Sequence, residues 1–371
     1  MSGVVSSARG EQPRAPYTVV AMSGGVDSSV AAALLKQEGR EVVGVTLQLM
    51  GCSEARGSLS SCGVSGIDRA RAVAGELGIA HYVLDCVREF DHQVLRPSWD
   101  AYSCGRTPSP CLLCNERIKF GLLLAWARRI GASQVATGHY ARVELTPDGE
   151  PILLRGRDPS KDQSYFLGGL DKAQLSRITF PIGQLDKAAV RSLCRSLGLS
   201  VAEARESQDA CMVGPKESFA EMLRERFSGS CRTGVIADES GLVLGRHEGI
   251  HRFTVGQRRG LGVASAGRRW VKEVRAEDAV VVVTGREEGL LSQGLVAKGM
   301  NWLVKPPAGG ALECEVQVRS RHHAAAATVR QQEDGTAAVQ FHEPVQAVTP
   351  GQAAVFYDGM RVLGRGWIDA C

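Results

Sequence analysis

The stretch "VVAMSGGVDSSVAAALL", Val19 to Leu35, leaves this chain few ways to fold. A β-rich apolar run ends at Gly24-Gly25, and an alanine-rich apolar run follows with helical spacing. Two adjacent glycines let a backbone approach a polyanion closely. The hydroxyls of Ser23, Ser28 and Ser29 and the free amides of the helix start converge on that spot, where the helix dipole adds partial positive charge. No Gly-Lys-Ser/Thr follows, so this is not a Walker A loop. A loop without that lysine suits pyrophosphate held through amides and hydroxyls. Asp27 is a candidate magnesium ligand, because a hard carboxylate oxygen suits that ion.

Such a loop belongs at the carboxyl end of a buried strand, and the flanking sequence continues the pattern. "YTVVAM", "EVVGVTLQL", "HYVLDC" and "SQVATG" read as strands. "SSVAAALLKQEG", capped by Ser28 or Asp27 and stopped by Gly39, reads as a helix, as do "IDRARAVAGELG" and "NERIKFGLLLAWARRIG". Strand-helix alternation predicts a Rossmann-like α/β domain, a parallel sheet covered on both faces, over 16–205. After residue 205 the texture changes. Turn signals such as "DESGL", "GQRRGLG", "EDGT" and "TPGQ" recur, with short alternating runs between them. A helical patch, "KESFAEMLRERF", opens this part, which predicts a small central domain over 206–285 and a C-terminal β-barrel over 286–371.

With 371 residues, two or three domains are expected. Residues 1–15 read as a disordered lead without the apolar core of a signal peptide, and no apolar run approaches the ~20 residues of a membrane span, so a cytoplasmic protein is expected. A net charge of +4 permits a nucleic-acid partner without demanding one. Eleven cysteines lie in no regular framework, so in a cytosolic chain most should be small buried hydrophobes. The exception to examine is "PCLLCN", where Cys111 and Cys114 could be metal ligands, a redox pair, a nucleophile with a bystander, or buried thiols.

Several stretches carry a family resemblance. "SGGVDSS" resembles the PP-loop of the ATP pyrophosphatases, and "GRTPSPCLLCNERIKF", "ATGHYAR", "KDQSYFLGGL", "SQDACMVG", "GIHRFTVGQRRGLG" and "GQAAVFYDG" resemble one branch of them, the bacterial tRNA-specific 2-thiouridylases. The likeness runs in order from about residue 17 to 368. It implies ATP-dependent 2-thiolation of the wobble uridine, position 34, in tRNAs of the Lys, Glu and Gln type: the C2 oxygen is adenylated and sulfur from a cysteine persulfide displaces AMP. A sulfur-relay protein or cysteine desulfurase would load the persulfide.

The resemblance places the nucleophile at Cys114 and the persulfide carrier at Cys211, joined transiently as a disulfide. Cys114 stands just before a helix read from Asn115, where a thiol gains thiolate character, and Arg106 would act in the same direction. Relatives often carry Asn-Pro-Asp where this chain has Ser109-Pro110-Cys111, so an acid at that position is missing. A structural zinc is disfavoured by a single CxxC. An iron–sulfur cluster held by Cys111, Cys114 and Cys211 stays open as an alternative route. Cys86, Cys104, Cys194, Cys231, Cys314 and Cys371 are read as structural.

By the same resemblance Ala21, Met22, Ser23, Gly24, Gly25, Val26, Asp27 and Ser28 hold the ATP phosphates, Leu47 lies against adenine, and Gly138 lets the nucleotide approach. His139 is read as a hydrogen-bonding histidine rather than a base. Lys161, Asp162 and Gln163, together with Arg319 and Ser320, match tRNA-contacting positions, and Gln257, Arg258 and Arg259 form a plausible backbone clamp. Ser109, Pro110 and Cys111 should line the pocket for the flipped target base. Two other classes remain open at this point. A PP-loop ligase on a small substrate would need neither thiol, and an RNA-binding protein that kept the loop would release no pyrophosphate.

Overall fold

Five parallel strands carry the first half of the chain, and their order explains where the glycine loop ends up. In a computed structural model of the protein, residues 17–51, 64–204, 218–227, 232–263, 267–307 and 309–370 are described, together with the short strand Val4–Val5. They pack into two units. One holds residues up to Gln93, those from Cys111 onward through 204, and Met360–Val362; the other holds Val94–Pro110, Ser218–Gly359 and the chain from Leu363.

In the first unit, β1 (Val4–Val5), β2 (Thr18–Ala21), β3 (Val42–Gln48), β4 (Ala80–Asp85), β5 (Gln134–Thr137) and β8 (Ile178–Thr179) form one sheet in the order β1-β4-β3-β2-β5-β8. All neighbours run parallel except β1, which pairs antiparallel on β4 at the edge. The remaining lead residues lie outside the described part. β2 is central, so Ala21 at its carboxyl end faces Val45 on one side and Thr137 on the other. β6 (Ala141–Leu145) and β7 (Pro151–Arg155) form a hairpin beyond β5.

Helix α1 (Val26–Gln37) is capped by Gly25, two residues before the Asp27 and three before the Ser28 read as its cap from the sequence. Its C-terminus matches the reading: Gly39 takes φ +77°, and Gly39 and Arg40 donate back to Lys36 and Leu35. Val30, Ala31, Ala32, Ala33 and Leu35 bury against α2 (Val64–Leu77) and the Lys187–Ser196 helix. Three alanines in a row let α1 lie close to the sheet, and each fully buried valine or leucine contributes roughly 1.5–3 kcal/mol.

The helix carrying the two cysteines begins at Pro110, not at Asn115. Proline suits a first helical position, since its missing N–H is one of those left without a partner there. The run then widens to a π-helical stretch, Cys114–Leu122, before closing as Leu123–Arg129. Cys111 therefore lies in the first turn and Cys114 one turn farther in.

The second unit is mostly β, as the turn spacing predicts. The Phe219–Arg226 helix precedes a sheet of β9 (Gly234–Asp238), β10 (Val243–His247), β11 (Trp270–Arg275) and β12 (Val280–Thr284), ordered β10-β9-β12-β11. Ile236, Phe253, Val271, Val281 and Val283 fill its core. From the helix, Glu221 takes hydrogen bonds from Arg224, Arg252 and His251. Burial pushes its carboxyl up, but those donors outweigh burial and bring it down to about 2.

β13 (Leu291–Trp302), β14 (Leu312–Gln317), β15 (Ala325–Gln331), β16 (Ala337–Gln346), β17 (Ala353–Asp358) and β18 (Arg361–Ala370) follow in the order β13-β16-β15-β14-β17-β18, and β13 also pairs with β18. The sheet closes into a six-stranded barrel filled by Leu295, Val316, Val329, Val339, Phe341, Phe356 and Ile368. Closure removes exposed strand edges. This unit also secures residues 104–110. Arg106 pairs with Asp369 at 2.8 Å and donates to the Ile368 carbonyl. The Thr107 amide donates to Pro350, and Gln352 Nε2 donates to the carbonyls of Thr107 and Pro108. Arg106 thus anchors this stretch to the barrel.

Candidate nucleotide and thiol site

The loop between β2 and α1 is braced from beneath. Thr46 Oγ1 donates to the Met22 carbonyl at 2.7 Å and meets His81 Nε2 at 2.9 Å. Burial, with Arg71 adding to it, pushes the His81 imidazole down to about 4, so it is neutral at physiological pH. Gly24 holds φ +72°, and a Cβ there would stand 2.3 Å from the Gly66 carbonyl oxygen of α2. Arg69 of α2 donates to the Gly24 carbonyl. Ser23 and Ser28 face each other, with the Ser23 amide donating to Ser28 Oγ and the Ser28 and Ser29 hydroxyls donating to the Gly25 carbonyl.

Ser29 makes the first hydrogen bond of α1, from its amide to the Gly25 carbonyl. The amides of Gly25, Val26, Asp27 and Ser28 precede it and have no partner in the helix, and the N-cap residue, Gly25, supplies no side-chain cap. A string of uncapped amides at a helix N-terminus, beside two hydroxyls, is a cradle for phosphate oxygens. Ala21 and Met22 lead into it from β2, and Met22 is buried. Leu47, near the end of β3, is buried beside Leu84. A Cβ on Gly138 would stand 2.6 Å from the Asp27 carbonyl carbon and the Ser28 nitrogen. The glycine makes room for the start of α1.

Asp27 has partners the motif does not reveal. Its Oδ1 accepts from Tyr140 Oη at 2.8 Å and from Lys187 Nζ at 2.6 Å. Oδ2 is the oxygen left for a magnesium ion, so this residue fits as one ligand of an ion that arrives with other donors. His139 is buried with Nδ1 2.6 Å from Thr137 Oγ1, between the rings of Phe120 and Phe180. Burial holds its imidazole well below the ordinary histidine range, which suits a neutral, hydrogen-bonding role.

Cys114 is 3% exposed and Cys111 is half-buried. Next to Cys114, Asn115 Nδ2 donates to the Phe166 carbonyl, while its Oδ1, in a residue 3% exposed, has no hydrogen-bond partner. Phe166 donates back to Gln163; Gln163 exchanges bonds with Tyr140 through both backbone and side chain; and Tyr140 holds Asp27. One hydrogen-bonded framework therefore joins the turn after Cys114 to the phosphate loop. Within it Gln163 is spent internally. Asp162 is spent too, accepting from Arg155, the Gly156 amide, and the amide and hydroxyl of Ser164.

In the second unit Ser109 is buried, and the Pro110 ring is half-buried. Gln317 Nε2 donates to the carbonyls of Arg319 and Ser320, which shapes a turn with Ser320 and Arg321 exposed. Gln257 likewise bonds back to its own loop, through the Thr254 amide and the Arg259 carbonyl, and leaves Arg258 and Arg259 exposed. Cys211, Cys231 and Cys371 lie outside the described residues. Of the other thiols, Cys86 and Cys314 are pushed up to about 12, burial being the main cause, and Cys194 is raised by burial as well. Cys104 departs from the buried expectation and is exposed. Among the described residues, no three of His, Cys, Asp and Glu stand together to hold a metal.

Three family models match successive parts of the chain: a tRNA methyl transferase HUP domain over 17–215, a tRNA methyl transferase PRC-barrel domain over 221–285, and an aminomethyltransferase β-barrel domain over 292–368. Curated relatives match along nearly the whole length. The tRNA-specific 2-thiouridylase MnmA of Geobacter metallireducens is 48% identical over 95% of this chain and 96% of its own. The chain belongs to the tRNA-specific 2-thiouridylase family. The MnmA proteins of Rhodospirillum centenum and Solibacter usitatus are 46% and 45% identical over 96% and 97% of this chain. The 2-thiouridylase match thus spans the phosphate loop, the Cys111–Cys114 helix and both β regions. Among the described residues, no helix is long and apolar enough to cross a membrane.

Proposed function

We propose that this chain thiolates C2 of the wobble uridine, position 34, in tRNAs of the Lys, Glu and Gln type, at the expense of ATP. The observation that carries the reading is the framework from Asn115 through Phe166, Gln163 and Tyr140 to Asp27, which holds a buried cysteine turn and an uncapped phosphate cradle in one rigid unit. Two of the family models are described as tRNA methyl transferase domains, but a methyl transfer needs no pyrophosphate cradle, whereas thiolation uses both features.

The C2 oxygen attacks the α-phosphorus of ATP, and pyrophosphate leaves through the α1 cradle. C2 now carries AMP as a leaving group. The terminal sulfur of a Cys211 persulfide attacks C2 and AMP departs. The Cys114 thiolate then attacks the Cys211 sulfur, the S–S bond to the base breaks, and its electron pair becomes the thiocarbonyl. A Cys114–Cys211 disulfide remains, which an external dithiol reduces. Asp27 Oδ2 is the oxygen this chain would offer a magnesium ion carried in on ATP, which would neutralise phosphate charge. Lys161, Arg319, Ser320, Arg258 and Arg259 hold the tRNA backbone; Ser109, Pro110 and Cys111 border the base. The domains divide at 16–205, 206–285 and 286–371, and the protein works in the cytoplasm, loaded by a sulfur-relay protein or cysteine desulfurase. Cys111 is a bystander thiol in this scheme, so the persulfide route is preferred to an iron–sulfur cluster.

The test is purified protein with ATP, magnesium, tRNA and a persulfide donor, followed by mass spectrometry of the nucleosides. Cys114→Ser and Cys211→Ser should each abolish 2-thiouridine, while Cys111→Ser stays within about threefold of the parent. Full thiolation by Cys114→Ser would overturn the scheme, and total loss in Cys111→Ser would return the cluster to consideration.

A further inference from the structure

The phosphate loop lacks the lysine of a Walker A motif, yet the fold brings one to it. Lys187 is the first residue of the Lys187–Ser196 helix, 160 positions after Asp27. Its ammonium lies 2.6 Å from Asp27 Oδ1 and 5.8 Å from the centre of the Tyr140 ring, and its side chain is 13% exposed. A lysine at a helix N-terminus works against the helix dipole, so local helix stability does not account for it. Its backbone is firmly placed: the Lys187 amide donates to Asp158 Oδ2, and Asp186 caps the same helix through the Ala189 amide. Asp27, for its part, sits in the first turn of α1, among amides that have no partner within the helix. The N-terminus of α1 and an ammonium therefore meet at one carboxylate, while Asp158 and Asp186 take the amides of the later helix. That field is more positive than a single carboxylate requires, and it suits a polyphosphate.

We propose that Lys187 is the cationic phosphate ligand of this site, held by Asp27 and Tyr140 until ATP arrives. The inference rests on the ATP-dependent reading above and adds the residue that stabilises the departing pyrophosphate. In the nucleotide-free protein Asp27 satisfies the ammonium and keeps it aimed along the start of α1. An incoming β- or γ-phosphate competes for it. The ammonium then bridges phosphate and carboxylate, with Tyr140 Oη still on Asp27, and the charge that builds on the leaving pyrophosphate is met without a lysine in the loop itself.

A merely structural ion pair between α1 and the later helix predicts something different, and nucleotide binding separates the two. The probes are AMP and the non-cleavable analogue α,β-methylene-ATP, titrated by calorimetry into the full chain with magnesium. Lys187→Gln should weaken the analogue by about tenfold or more and leave AMP within about twofold, because AMP lacks the phosphates the lysine meets. The double variant Asp27→Asn/Lys187→Gln removes both charges. Its affinity for the analogue should stay as weak as that of Lys187→Gln; a return to the parent value would show that Lys187 only neutralises Asp27 and would overturn the proposal. The unaltered protein gives a second test if Lys187→Gln does not fold. Amine-reactive labelling of Lys187, read by peptide mass spectrometry, should fall when the analogue binds and not when AMP binds; equal labelling under both would also refute it. Binding is read apart from thiolation, so a protein that binds ATP through Lys187 but leaves uridine unchanged would sink the thiolation scheme alone.

Discussion

At the scale of single residues, the parts of the site that speak through adjacent letters were legible. Gly24, Gly25, Ser23 and Ser28 sit together in the sequence and act together in space. Partners that arrive from afar were not: Lys187 reaches Asp27 across 160 positions, and His81 reaches Thr46 across 35. His81 carries a pH prediction. Its imidazole is neutral in the folded protein down to about pH 4, whereas an unfolded histidine takes its proton near pH 6.5. Below pH 6.5 the unfolded chain binds more protons, so this contribution is complete above pH 6.5 and fades toward pH 4, by at most roughly 3 kcal/mol. His139, His247, His251 and His322 are depressed as well, so the informative quantity is the difference between proteins. Between pH 7.5 and 5, Tm should fall several degrees further in the parent than in His81→Gln. Equal falls would remove His81 from this role.

Among elements, the parallel strands β2 to β5 and both α1 and α2 follow from apolar runs and turn residues, because burial on both faces leaves a continuous signal, whereas the two-residue β8 does not. The start of the cysteine helix did not, since Pro110 reads as a break until its place in a first turn is seen. That shift moves Cys114 one turn inward and leaves Cys111 in the first turn. The loop over 104–110 was equally opaque, because what shapes it is Gln352 and Asp369, residues of a barrel that pattern alone does not align with it. Gln352→Leu removes two hydrogen bonds to that loop, each contributing roughly 1 kcal/mol. Thiolation turnover should fall about tenfold while KM for ATP stays within about twofold. Unchanged turnover would mean that the loop holds its shape without the glutamine.

For the whole molecule, the two textures of the sequence, alternating then all-β, matched an α/β unit and a β unit, while the transfer of residues 94–110 to the second was invisible to any local pattern. A chain cut after Glu217 should therefore keep its affinity for α,β-methylene-ATP and lose the hydrogen-exchange protection of the Thr107 amide, which donates to Pro350 in the intact protein. Retained protection in the shortened chain would contradict this. The bond from Arg106 to Asp369 also sets a clock. The two residues leave the ribosome 263 positions apart, an interval on the order of 10–50 s at ordinary elongation rates. Over its later part, once Tyr140 and Lys187 have been made, a nascent chain can have its nucleotide cradle but not the partners that fix the loop leading to its thiols. Translation order thus completes the two halves of the site at different times.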